Sequence, residues 1–199
     1  DHVLSSSGLL VKEIGGPSVK PYQPDGIWEL STSGRGVLAN YVQDHGDRLY
    51  RRGMYNFIKR TVPPPVMLMF DASNRDQCEV RRISTNTPLQ ALIMMNDPMV
   101  LEAARVLAER LMLEDLSPEE RIARAAQLIL CRKAGEKELA ILKTFFEEEK
   151  KYYEAAPEKA KQRLQAGEYK HENINDVVST AALMQVVSTL YNTDEAITK

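Results

Sequence analysis

Apolar positions fall into two regimes along the chain. From residue 97 to 191 they recur at the three- and four-residue spacing of helices that bury one face. Leu101, Ala104, Leu107, Ala108 and Leu111 form one stripe, and Ile122, Ala125, Ala126 and Ile129 a second. Leu139, Leu142, Phe146 and Tyr153 form a third, and Val178, Ala182, Val186 and Leu190 a fourth. Start signals precede them. Asp97-Pro98 pairs a capping side chain with a proline suited to the first turn. Ser117-Pro118-Glu119-Glu120 has the spacing of a capping box. Pro157 opens a further helix, polar almost all round, which Gly167 closes.

The first half reads differently. Val3–Val11 predicts the end of a helix, stopped by Gly15-Gly16-Pro17. Residues 17–44 predict loop with one short helix near Asp25–Leu30. Leu49, Tyr50, Met54, Phe57 and Ile58 fit one helical face, so a helix is expected over Leu49–Arg60, weakened by Gly53 and ended by Pro63-Pro64-Pro65. Val66–Phe70 reads as a helical turn or a buried strand. Thr87-Pro88 opens a short helix carrying Leu89, Leu92 and Ile93. Period-2 alternation is absent over any useful length. The expectation is a mainly α, irregular helical domain, with long Pro/Gly-rich loops packed on a helical bundle. It is read as a single domain over 1–199, with a loop-rich basic part at 1–96 and a helical part at 97–199.

Charge sharpens this division. The 199 residues carry 26 basic and 28 acidic side chains, a net charge of −2. Segment 48–82 holds eight basic residues against three acidic ones. Segment 113–199 holds 13 basic and 16 acidic. The near-neutral total argues against a nucleic-acid binder, and no apolar run approaches a membrane span.

Candidate chemistry is sparse. Seven of the eight basic residues of 48–82 are arginines, whose planar fork suits carboxylate, sulfate or phosphate. Arg51, Arg52, Arg60, Arg81 and Arg82 are therefore candidates for an acidic partner. The alternative is that they tie the loops together through Asp44, Asp47, Asp71, Asp76 and Glu79. Tyr22 and Trp28 are candidates for stacking a glycan, or else Trp28 anchors the Pro-rich loop. Asp44-His45-x-Asp47 lacks the spacing of a built metal site and more simply turns the chain. No metal site, nucleophilic serine motif or phosphate loop is read. Cys78 and Cys131 are the only cysteines, so no disulfide framework or C-x-x-C-H haem motif exists in this chain. They are read as free buried thiols, with a mutual bridge left open.

Several strings together resemble one family. They are Gly15-Gly16-Pro17-Ser18-Val19, Pro21-Tyr22-Gln23-Pro24, Leu49-Tyr50-Arg51-Arg52 and Lys59-Arg60-Thr61-Val62-Pro63-Pro64-Pro65. Phe70-Asp71-Ala72, Thr85-Asn86-Thr87-Pro88-Leu89-Gln90-Ala91-Leu92, Asn96-Asp97-Pro98 and Glu102-Ala103-Ala104-Arg105 complete the set. The set resembles the C-terminal domain of unknown function (domain of unknown function 1553) of planctomycete cytochrome c-type multidomain proteins. The tail Asn192-x-Asp194-Glu195 fits too, although Ala196 stands where an aromatic is usual. The resemblance implies a C-terminal piece of a longer exported protein, periplasmic or at the cell surface. Haem c would sit in an upstream domain. It implies no catalytic residues. Three functions are open: an interaction module that docks other domains of its own chain, an acidic protein or an acidic glycan; part of an enzyme on extracytoplasmic polysaccharide, with Asp44, His45, Asp71 and Cys78 the residues to suspect; or a glycan-binding module.

Overall fold

The computed structural model describes residues 1–32, 35–36, 38–73, 78, 80–81, 85–172 and 175–198. The protein is mainly α. Its helices are α1 (His2–Ser7), α2 (Ile27–Thr32), α3 (Pro65–Met69), α4 (Pro88–Asn96), α5 (Pro98–Leu113), α6 (Pro118–Leu130), α7 (Glu136–Ala155), α8 (Pro157–Arg163), α9 (Val177–Tyr191) and α10 (Asp194–Ile197). Two 3-10 turns, Gly46–Tyr50 and Gly53–Tyr55, lie between α2 and α3. Among the described residues β pairing is limited to isolated bridges. The chain divides into two compact units. One holds Asp1 and Leu10–Ile93; the other holds His2–Leu9 and Met94–Lys199. The division falls inside α4.

In the helical unit, caps set the helix starts. Asp97 accepts from the N–H groups of Met99 and Val100, and Ser117 and Glu120 complete the expected reciprocal box. Asp176 caps α9 through Ser179 N–H. These bonds satisfy donors that a helix start otherwise leaves open. α5 and α9 form the centre. Ala103, Ala104, Leu107, Ala108 and Leu111 of α5 are fully buried, as are Ala181, Ala182, Met184 and Val186 of α9. α6, α7 and α8 pack against α9. α1 joins this unit, where Ser6 Oγ meets the Tyr191 hydroxyl at 2.8 Å. Burial raises the Tyr191 phenol above its ordinary pKa. α1 ends at Ser7, earlier than Gly15-Gly16-Pro17 predicts. Gly8 takes φ +85° there, and a Cβ on it would meet the Arg110 guanidinium at 2.3 Å.

The loop-rich unit corrects one expectation. No helix runs over Leu49–Arg60. The first 3-10 turn ends at Tyr50, and Arg51 is extended at φ −70°, ψ 159°. The reason is competition for backbone hydrogen bonds. Val11 N–H donates to Tyr50 O, Val19 N–H to Tyr55 O and Phe57 N–H to Val19 O. Peptide groups paired across to residues 11 and 19 cannot also close helical turns, and Gly53 favours the non-helical choice. The core of this unit gathers Trp28, Leu49, Tyr50 and Val19, each at most 2% exposed. Val66–Met69 resolves as helix within α3, and Phe70 is its C-cap.

Candidate functional site

The predicted site residues all lie in the loop-rich unit, and three joints organise the described ones. The first centres on Arg51. Its guanidinium donates to the carbonyls of Glu13, Gly15 and Pro17, at 3.2, 2.5 and 3.2 Å. Its Cζ lies 4.0 Å from the centroid of the Tyr55 ring. The Tyr55 hydroxyl in turn accepts from Gly15 N–H at 2.9 Å. Arg51 is 5% exposed. Its fork therefore faces main-chain carbonyls of the Gly-Gly-Pro segment and does not open to a ligand. The tie is of the cross-linking kind, but it reaches carbonyls where carboxylates were expected. A loop leaves many C=O groups without partners, and a buried arginine can collect several of them.

The second joint centres on Trp28, which is 1% exposed. Tyr41 meets it edge-on at 5.1 Å and Phe57 tilts against it at 5.7 Å. Lys59 Nζ stands 4.6 Å from its ring and Lys20 Nζ 5.4 Å. Lys59 is itself buried, donating to Leu38 O and Ser31 Oγ. A cation over a desolvated indole face is worth about 2 kcal/mol. A ring so enclosed offers no face on which a sugar could stack. The Trp28 position thus corrects the glycan-stacking expectation at that residue. Tyr22 is half-buried. Burial raises the Tyr41 phenol, with the Asp44 charge adding to it; its hydroxyl donates to Pro21 O.

The third joint links Asp71, Thr85 and Gln90. Asp71 sits at φ +54° and accepts from both Thr85 N–H and Thr85 Oγ1 at 2.7 Å. Gln90, 1% exposed, donates to Met69 O and Thr85 Oγ1 and accepts from Thr87 N–H. The carboxamide thereby holds the start of α4 against the end of α3. Asp44 is likewise engaged, by Lys20 N–H at 2.7 Å and by Arg48 at 3.2 Å.

The remaining candidates lie on the surface or outside the described residues. Arg52, Arg60 and Arg81 are exposed, and none has a side-chain hydrogen bond or ion pair among the described residues. His45 is exposed. Cys78 and Cys131 are exposed free thiols, which corrects the expectation of buried ones and gives no bridge. Arg82, Asp76 and Glu79 lie outside the described residues. Among the described residues no group of three or more His, Cys, Asp or Glu side chains could hold a metal ion. A shallow hollow of about 390 Å³, lined by Gly16, Ser18, Met54, Tyr55, Phe57 and Ile58, touches none of the candidate arginines.

One polar cluster escapes the sequence reading. On α5, Arg105 is fully buried between Glu102 and Glu109. It donates to both Glu109 oxygens, to Ala166 O at 2.9 Å and to Tyr169 O at 2.7 Å. Glu102 accepts from Tyr169 N–H at 2.6 Å. His171 Nδ1 lies 3.2 Å from Glu109 Oε1. The cluster fastens the loop after α8 to α5. Its only sequence signal is three charges at i, i+3 and i+7 with apolar residues at every position between them.

The strings singled out in the sequence thus recur as joints: Gly15–Pro17 with Arg51, Lys59 with Trp28, Asp71 with Thr85 and Gln90, Asp97 at a cap, Glu102 with Arg105. A family model described as "Protein of unknown function (DUF1553)" matches residues 1–146. The chain belongs to that family. No curated protein and no solved structure matches it. The match takes in all three joints of this DUF1553 chain and ends within α7; α8, α9 and α10 lie beyond it. Among the described residues no helix is long and apolar enough to cross a membrane.

Proposed function

We propose that this DUF1553 chain is a non-catalytic interaction module of an exported, cytochrome c-linked multidomain protein. It presents Arg52, Arg60 and Arg81 to an acidic partner, either another domain of its own protein or an acidic chain outside it. Haem c belongs to an upstream domain of that protein. One contrast carries the reading. Asp44 and Asp71, the carboxylates singled out for chemistry, are engaged in internal hydrogen bonds, while Arg52, Arg60 and Arg81 are exposed and uncommitted among the described residues. Uncommitted guanidinium groups in a locally basic segment favour carboxylate and sulfate ligands.

The test is binding of the full chain to polyaspartate and to heparin, across a salt series. Wild type should bind, and more weakly as salt rises. The triple variant Arg52→Ala, Arg60→Ala, Arg81→Ala should lose most of that binding while keeping its unfolding midpoint. Undiminished binding by the triple variant overturns the reading.

A further inference from the structure

α7 and α9 leave an apolar seam on the surface of the helical unit. One hollow of about 220 Å³ is lined by Leu130, Ala134, Ile141, Leu142, Leu190 and Thr193, together with Arg132, Glu138 and Glu195. A second, of about 570 Å³, is lined by Ala140, Ile141, Leu142, Phe145, Glu148 and Thr189, with Thr144 beside them. Ile141 and Leu142 belong to both, so the two are one groove. Its α7 wall runs from Glu138 to Glu148, about 15 Å at the helical rise, or three turns. Ile141 stands 69% exposed on that wall. A continuous apolar strip rimmed by charge marks a docking surface.

The rim decides the occupant. Glu138, Glu148 and Glu195 line the groove against a single cation, Arg132. That guanidinium is already clamped by two of those glutamates, at 2.8 Å from Glu138 and 2.7 Å from Glu195. Lys143, the one lysine between Glu138 and Glu148 on α7, is paired with Glu119. The helical unit as a whole carries 15 basic and 19 acidic residues. A second copy approaching by the same face would bring acidic rim to acidic rim, and an anionic lipid surface would be repelled.

We propose that this groove binds a cationic amphipathic helix. The partner's apolar side chains, spaced i, i+3 or i+4, and i+7, lie along the Ile141–Phe145 strip. Its flanking Lys or Arg side chains face Glu138, Glu148 and Glu195. This surface is separate from the arginines of the loop-rich unit and stands whether or not they bind an acidic partner.

The full chain is titrated into a labelled Leu/Lys helical peptide of about 18 residues patterned on a helical period, and into a Leu/Glu peptide of the same pattern. Fluorescence anisotropy reads the binding. The Leu/Lys peptide should bind, and the Leu/Glu peptide at least about tenfold more weakly. Ile141→Asp and Glu148→Lys should each weaken the Leu/Lys peptide by about tenfold or more. Both side chains are exposed, so an unchanged far-ultraviolet circular dichroism spectrum confirms that the variants fold. The proposal is overturned by no binding of the Leu/Lys peptide, by equal binding of the two peptides, or by variants that bind like wild type. A sedimenting dimer abolished by Ile141→Asp also overturns it, because a second copy would then be the occupant.

Discussion

Arg105 Nη1 donates to both carboxylate oxygens of Glu109, at 2.8 and 2.9 Å, with the two side chains at most 4% exposed. The pair is not an isolated bridge. The same guanidinium reaches Ala166 O and Tyr169 O, so one side chain fixes the loop after α8 at several points. Removing the cation would leave Glu102 and Glu109 as buried charges without their guanidinium. That loss costs about 3–5 kcal/mol. Arg105→Ala should therefore lower urea stability by that amount. Arg105→Lys should recover little of it, because an ammonium lacks the planar fork that serves Glu109 and two carbonyls together. A lysine variant as stable as wild type would show that charge alone holds the cluster.

Gly167 belongs to the same joint. It has φ +78°, and a Cβ there would sit 2.1–2.4 Å from the Glu102 side chain. The backbone conformation disfavours any L side chain, and Glu102 cannot retreat without releasing Tyr169 N–H. Gly167→Ala should destabilise the helical unit by at least about 1 kcal/mol. Thermal unfolding followed at 222 nm checks this, with Gly15→Ala as a comparison. Gly15 is also at positive φ but has open space around it, so its cost should be the smaller.

Arg51 and Arg52 are neighbours with opposite expected effects. Arg51→Ala removes three hydrogen bonds from a buried guanidinium to loop carbonyls, and its stacking on Tyr55, and should cost about 2–4 kcal/mol. Arg52→Ala changes an exposed side chain and should stay within about 0.5 kcal/mol. Trp28, the only tryptophan, lies in the core of the same unit, so its fluorescence in denaturant reports this comparison directly. Equal stabilities would refute the assignment of Arg51 as the tie.

What could be read in advance follows from how far each interaction reaches. The caps at Asp97 and Ser117 bond backbone N–H groups two or three residues away, so spacing alone reveals them. Arg51 bonds carbonyls 34–38 residues distant. Sequence names the guanidinium but not its acceptors, because every residue carries a carbonyl. The segment after Leu49 has a helical apolar pattern, yet pairing with Val11 and Val19 overrides it. The Arg105 cluster stayed hidden because charged residues on a helix usually mark its solvent face, whereas α5 is buried nearly all round.

The cap at Asp97 separates charge from hydrogen bonding. Burial raises the Asp97 carboxyl above its ordinary pKa, although the N–H groups of Val100 and Met99 pull it down. A carboxyl with a raised folded-state pKa weakens folding as pH climbs through that value. Asparagine accepts the same bonds without the charge. Asp97→Asn should match wild type within about 0.5 kcal/mol, relatively better at pH 7 than at pH 3, while Asp97→Ala should lose about 1 kcal/mol at pH 3 and less at pH 7, because neither variant titrates there. An asparagine variant as unstable as the alanine variant would mean that the charge itself makes the cap.

Glu138 supplies the opposite case, at the rim of the apolar groove. Two bonds from Arg132, with Gly135 N–H adding a third, hold its carboxyl down to about 2 from an ordinary 4.5. A depressed acid stabilises the folded state above its unfolded pKa and loses that effect as pH falls through the folded one. The sensitive window is therefore pH 4.5 down to 2. Glu195 shares the same guanidinium, so protonating Glu138 leaves Arg132 with a partner and the α7 start with a weakened N-terminal tie. Carbon-detected NMR titration of the Glu138 carboxyl should show the depressed value in wild type. In Arg132→Met the titration should move up only part of the way to 4.5, because Gly135 N–H still donates to Oε2. High salt should narrow the difference, since the pair is open to solvent. A complete return to 4.5 in the variant would show that the backbone bond contributes nothing. An unchanged low value would assign the whole depression to the helix N-terminus and none of it to Arg132.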